Sequence, residues 1–173
     1  MKQLNLFHLS EDSSQQNPRE KTYDHWQLFI DGASRKNPGP AGAGIHLIKN
    51  SKSFKKLGFY LGNKTNNQAE YGALLIGIYY LKQYIKPHDH VDIISDSELL
   101  VKQFKGEYRV KHPELKPLHL FAKKQLHDVI YSISHVLREK NIVADEMANY
   151  GIDEKKPLPA DFITLLKQHE LDW

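Results

Sequence analysis

Four acidic side chains stand in surroundings suited to phosphodiester chemistry: Asp31 in FIDGASRKNPGPAGAG, Glu70 in TNNQAEY, Asp96 in IISDSELLV and Asp145 in REKNIVADEMAN. Gathered from such distant segments, they would form a strongly negative cage that is stable only when cations fill it. Carboxylate oxygens are hard ligands and suit Mg²⁺ or Mn²⁺ better than zinc. Two such ions about 3.5–4 Å apart can activate a water and stabilise a leaving oxygen, the basis of two-metal hydrolysis. Singly, each acid has a plainer explanation. Asp31 could form a turn before glycine, Glu70 and Asp145 could be helix-surface charges, and Asp96 could be an N-cap. Together, with their flanking residues, they favour a site.

The elements that would carry them are legible. WQLFID reads as a strand ending at Asp31, and the Asn-Pro-Gly-Pro run after it forces a turn. GAGIHLIKN and SFKKLGFYLG read as two further strands of an antiparallel meander. From Asn66, apolar residues recur at three and four steps (Ala69, Ala73, Leu74, Ile76, Gly77, Tyr80, Leu81, Tyr84), predicting a long helix with one broad apolar face and Glu70 in its first turns. HVDIIS is a buried strand, with Asp96 and Ser97 at its carboxyl end before the helix SELLVKQF. GEYRVKHPELKP is a loop, followed by a helix through FAKKQLHDV and a strand near IYSISHVLR. Asn141 is expected to cap the helix IVADEMANY, which sets Asp145 about one turn inside it.

These motifs, in this order, closely resemble the ribonuclease H type 1 family over roughly residues 26–150. The resemblance implies an α/β fold with a mixed five-stranded sheet, three antiparallel strands then two parallel ones, flanked by helices. It also implies an endonuclease that hydrolyses the RNA strand of RNA/DNA hybrids to 5′-phosphate and 3′-hydroxyl ends. Two Mg²⁺ ions per site, with Mn²⁺ able to substitute, would be held by Asp31, Glu70 and Asp96, with Asp145 completing the site. Gly32, Ser34, Asn37, Asn66, Asn67, Gln68 and Ser97 match hybrid-binding positions, and Thr65 with Asn67 would take a DNA phosphate. An A-like minor groove displays 2′-hydroxyls that short polar side chains can read.

The chain departs from many bacterial relatives twice. HVLREKNIVAD replaces a longer Gly-His loop, so Arg138 takes the place near the scissile phosphate and His135 is expected to be structural, as in the archaeal and reverse-transcriptase-like branch. A Trp-rich basic protrusion is replaced by GEYRVKHPELKP, leaving Lys102, Lys105, Arg109, Lys111 and Lys116 as a partial grip. Two rival readings follow: a relaxed nuclease that also cuts double-stranded RNA, and a catalytically inert nucleic-acid-binding or clamp-recruitment module.

Composition supports one domain. A chain of 173 residues, 40% hydrophobic and 26% charged, can bury a sizeable core. With no cysteine, disulfides, thiolate metal sites and thiol nucleophiles are excluded. No run has the length needed to cross a bilayer, and a cytoplasmic monomer is expected. The net charge is only +3, but seven Lys/Arg face two Glu between Lys102 and Lys124, and Lys52, Lys55, Lys56 and Lys64 form a second basic group. Such clusters neutralise phosphates. The expected organisation is a flexible tail over 1–24, the catalytic domain over 25–151, and a C-terminal extension over 152–173 with a short helix striped by Phe162, Leu165 and Leu166. Within the tail, Gln3, Leu4, Leu6 and Phe7 resemble the bacterial sliding-clamp-binding pentapeptide, a glutamine with two apolar anchors.

Overall fold

The computed structural model describes residues 22–171 and 173; the Gln3–Phe7 motif lies outside them. Strand β1 (His25–Ser34), β2 (Gly39–Lys49) and β3 (Lys52–Lys64) form the meander, with the chain turning through the Asn-Pro-Gly segment as the prolines require. Helix α1 (Asn66–Leu81) leads to β4 (His90–Ser95), then α2 (Glu98–Phe104), α3 (Leu115–Gln125), β5 (Ile130–His135), a 3₁₀ turn (Arg138–Lys140), α4 (Ile142–Asp153) and α5 (Ala160–Gln168). The sheet order is β3-β2-β1-β4-β5, in which β1–β2 and β2–β3 are antiparallel while β1–β4 and β4–β5 are parallel. This is the expected mixed five-stranded sheet.

Helix α1 differs from its expected one-sided burial. Ala69 through Ile78 are all buried, because α1 lies between the sheet and the helices α3 and α5. The periodic stripe marked only part of that buried surface. Phe162 and Leu166 of α5, each 1% exposed, fill the other side, and the Phe162 ring lies 5.3 Å from that of Tyr79. The C-terminal segment thus shares the core of the preceding residues.

Helix α3 starts earlier and ends earlier than its sequence suggests. Pro117 falls in its first turn, where no N–H is needed, so proline there begins the helix instead of prolonging the loop.

The second sheet face carries α4 at unusually short range. A Cβ placed on Gly44 would lie 1.8 Å from the Ala144 carbonyl oxygen, and one on Gly58 2.0 Å from that of Met147. Glycine ordinarily weakens a strand interior, but these glycines of β2 and β3 are the positions where α4 backbone rests on the sheet. That contact sets the height of Asp145 above the strands.

Candidate active site

Asp31 lies near the end of β1, paired with Gly44 of β2 on one side. On the other side Ile30 is in register with Ser95, the last residue of β4, so Asp96 emerges next to Asp31. Glu70 reaches the same place from α1. Its approach depends on Gly32, where a Cβ would fall 2.1 Å from the Glu70 amide nitrogen; the Gly32 N–H donates to Glu70 Oε2 at 3.1 Å. Thr65 fixes the start of α1 by a capping box: its hydroxyl accepts from the Gln68 N–H at 3.2 Å and its own N–H donates to Gln68 Oε1 at 2.8 Å. Ser97 caps α2, accepting from the Leu100 N–H at 3.4 Å.

One carboxylate oxygen from each of Asp31, Glu70 and Asp96 lies within 4.8 Å of the others. Asp145, in the first turn of α4, lines the same cleft of about 390 Å³. Asp31 and Glu70 are each only 5% exposed. Burial, followed by the charges of Asp96 and Asp145, pushes the Asp31 carboxyl up to about 7, with Arg138 partly opposing. Glu70 is driven well above the ordinary range by burial and then by Asp31 and Asp96, against the pull of the Gly32 N–H. Buried like charges of this kind cost free energy unless a cation or protons neutralise them. Four convergent oxygen donors without thiolate or imidazole fit Mg²⁺ or Mn²⁺.

Of the other expected residues, Arg138, Gly32, Ser34, Asn66 and Ser97 also line the cleft. Arg138 Nη2 donates to Asp145 Oδ1 at 2.6 Å. Ser34 donates to the Lys64 carbonyl at 2.8 Å and meets the Lys36 carbonyl, while Asn37 Oδ1 accepts from the Asn66 N–H at 3.0 Å. Asn37, Thr65 and Gln68 therefore stand outside the cleft lining and shape its wall. Gln68 also donates to Glu114 Oε2 at 2.8 Å. Asn67 is exposed at the start of α1. His135 ends β5 and its Nε2 lies 3.2 Å from the Asp96 carbonyl oxygen. In the basic segment, Lys102 is engaged by Glu98 at 2.6 Å, whereas Lys105, Arg109, Lys111 and Lys116 are exposed.

Asn141 corrects an expectation. It occupies the N-cap position of α4, but its side chain makes no cap bond. Instead its amide, 1% exposed, donates to Asp96 Oδ1 at 2.8 Å and to the Ile30 carbonyl at 2.9 Å. Burial makes those two acceptors the better partners, and the residue joins the elements carrying Asp31, Asp96 and Asp145. Arg35 and Asn149 also line the cleft without having been expected. Asn149 was legible as the residue one turn after Asp145 on the same helix face.

Known proteins resemble this chain in sequence and fold. Residues 29–151 match the family model described as reverse transcriptase-like. Ribonuclease HI of Halobacterium salinarum is 35% identical over 128 residues, 73% of this chain and 63% of that protein. Ribonuclease H of Coxiella burnetii is 32% identical over 142 residues, covering 73% of this chain and 89% of its own length. The bifunctional protein Rv2228c of Mycobacterium tuberculosis is 36% identical over 132 residues, and the match spans only 35% of it. Among solved structures, RNase H1 from Halobacterium salinarum superposes with a TM-score of 0.71 at 33% identity, covering 75% of this chain and 98% of that one. LC11-RNase H1 in complex with RNA/DNA hybrid gives 0.70 at 33% identity, covering 75% and 97%.

Proposed function

The chain belongs to the ribonuclease H type 1 family, and from that premise we propose that it is an endonuclease hydrolysing the RNA strand of RNA/DNA hybrids to 5′-phosphate and 3′-hydroxyl ends. The observation that carries the reading is the meeting of four acids from β1, α1, the end of β4 and α4 in one cleft. Asp31, Glu70, Asp96 and Asp145 are the residues to hold two divalent cations, Mg²⁺ by preference. Bound there, the cations would supply Lewis-acid activation of water and neutralisation of charge on the phosphate.

The side chains do the positioning. Asn141 holds the Asp96 carboxylate, and the Gly32 N–H holds that of Glu70, so both oxygens are aimed before substrate arrives. Arg138, paired to Asp145 at the cleft mouth, is placed to meet a phosphate. Ser34 and Asn66 line the approach and are the groups to read 2′-hydroxyls. The exposed lysines and Arg109 after α2 would hold the DNA strand, making binding salt-dependent.

The test is cleavage of end-labelled RNA/DNA hybrid, single-stranded RNA, double-stranded RNA and double-stranded DNA, with Mg²⁺, Mn²⁺ or chelator, beside Asp96→Asn. Metal-dependent internal cuts confined to the RNA strand of the hybrid, and lost in the variant, are expected. Equal cutting of double-stranded RNA would replace this reading with a relaxed nuclease, and tight hybrid binding without cleavage would replace it with a binding module. On sequence grounds alone, Gln3, Leu4, Leu6 and Phe7 are further proposed to bind a bacterial sliding clamp. Deleting residues 1–10 is expected to abolish capture by immobilised clamp, and unchanged capture would defeat that extension.

A further inference from the structure

We propose that His25, His90 and Asp92 form a second metal site, separate from the acid cleft, which takes a borderline transition cation such as Zn²⁺. The site is built by strand register. His25 of β1 stands directly opposite His90 of β4 in the parallel pair, and the two-residue period of a strand puts Asp92 on the same face as His90. The ligand atoms already converge: His25 Nε2 is 2.7 Å from Asp92 Oδ2, His90 Nδ1 is 3.5 Å from Asp92 Oδ1, and one donor from each residue lies within 4.8 Å of the others.

Two features favour a ligand site over a bare ion pair. Asp92 is braced from β5, where the Ser132 hydroxyl donates to Asp92 Oδ1 at 2.6 Å, the kind of outer contact that orients a metal ligand. The two imidazoles are about half exposed, at 48% and 47% of their side-chain surface, which gives an ion in solvent direct access.

Ligand chemistry then sorts the metals. Two imidazoles and one carboxylate suit Zn²⁺, Co²⁺ or Ni²⁺, whereas Mg²⁺ prefers all-oxygen surroundings, and three protein ligands leave a position for water. Asp92 lies within β4 and Asp96 directly follows the end of that strand, four residues on and about 13 Å away at the usual rise per residue, so the two sites cannot share an ion. An ion here would tie the first residue of β1 to the start of β4.

Zn²⁺ is titrated calorimetrically, and Co²⁺ by visible absorbance, into the full-length chain carrying Asp31→Asn, Glu70→Gln and Asp96→Asn, which removes the acid cleft as a competitor. One equivalent is expected to bind, with affinity falling at least tenfold when Asp92→Asn or His25→Gln is added, and with circular dichroism unchanged. His90→Gln, at an exposed position, serves as the second variant if Asp92→Asn misfolds. Flat titrations would mean that the three residues make an ion pair only. Binding unaffected by these variants would place the ion elsewhere. Either result overturns the proposal, and neither touches the nuclease reading.

Discussion

Replacing Asp31 by asparagine should make the metal-free protein more stable while removing its activity. Burial and the neighbouring acids lift the Asp31 carboxyl from 3.8 to about 7. Each unit corresponds to about 1.36 kcal/mol, so a shift of roughly 3 units sets a ceiling near 4 kcal/mol on the cost of keeping this charge in the fold. Glu70 and Asp96 share the same repulsion, and protons redistribute among coupled acids, so about 1–3 kcal/mol is the expected gain. The sign follows from linkage. Because the folded value lies above the unfolded one, the folded protein retains a proton that the unfolded chain has released. Stability therefore falls as pH rises from about 4 to about 7 and then levels. Asparagine, carrying no charge, escapes that loss. Thermal denaturation in chelator is the assay. For a chain of this size, about 2 kcal/mol corresponds to a rise of about 4–8 °C in Tm. The advantage should be near its maximum at pH 8, shrink toward pH 4.5, and diminish or reverse when Mg²⁺ is added, because the wild-type protein is then stabilised by the ion it binds. A variant no more stable than wild type in chelator at pH 8, or a gain independent of pH, would show that charge repulsion is not what the cleft stores.

Gly44→Ala should cost about 3 kcal/mol or more, because its Cβ would lie 1.8 Å from a backbone oxygen of α4 that no rotamer change can move; urea denaturation gives the number, and hybrid cleavage should fall with it as Asp145 is displaced. Asn141→Ala should lower Mg²⁺ affinity or activity about 10–100-fold, since Asp96 loses the amide that aims it, and should cost about 1–3 kcal/mol through the Ile30 carbonyl left without its side-chain donor; metal titration of cleavage separates the two effects. Phe162→Ala should destabilise by about 3–5 kcal/mol, as its ring is 1% exposed against α1, and a loss below about 1 kcal/mol in equilibrium unfolding would mean that the C-terminal helix is dispensable to the core.

Asp31, Glu70, Asp96 and Asp145 could be chosen from the chain alone because each stands in a flanking pattern that also reveals its local element: a strand end before a proline turn, a helix start, a strand-to-helix junction, a helix first turn. Period and turn chemistry are local properties, so the succession of strands and helices along the chain was readable without coordinates. What pattern could not supply was distance. Nothing local showed that the glycines of β2 and β3 are where α4 lies on the sheet, or that Gly32, expected among the hybrid-binding residues, also leaves the space that Glu70 needs. Asn141 read as a cap because caps are local; its true partners lie 45 and 111 residues away, and only packing brings them to a buried amide. The one-sided stripe of α1 could not announce a second layer formed by α5. His25, His90 and Asp92 carried no signal at all, since their meeting depends on the register of two parallel strands separated in the chain by two further strands and a helix. Residue type and local spacing determined which chemistry was available. The low dielectric and fixed spacing of the folded core decided how strongly the charges feel one another, and hence why Asp31 holds its proton to about 7.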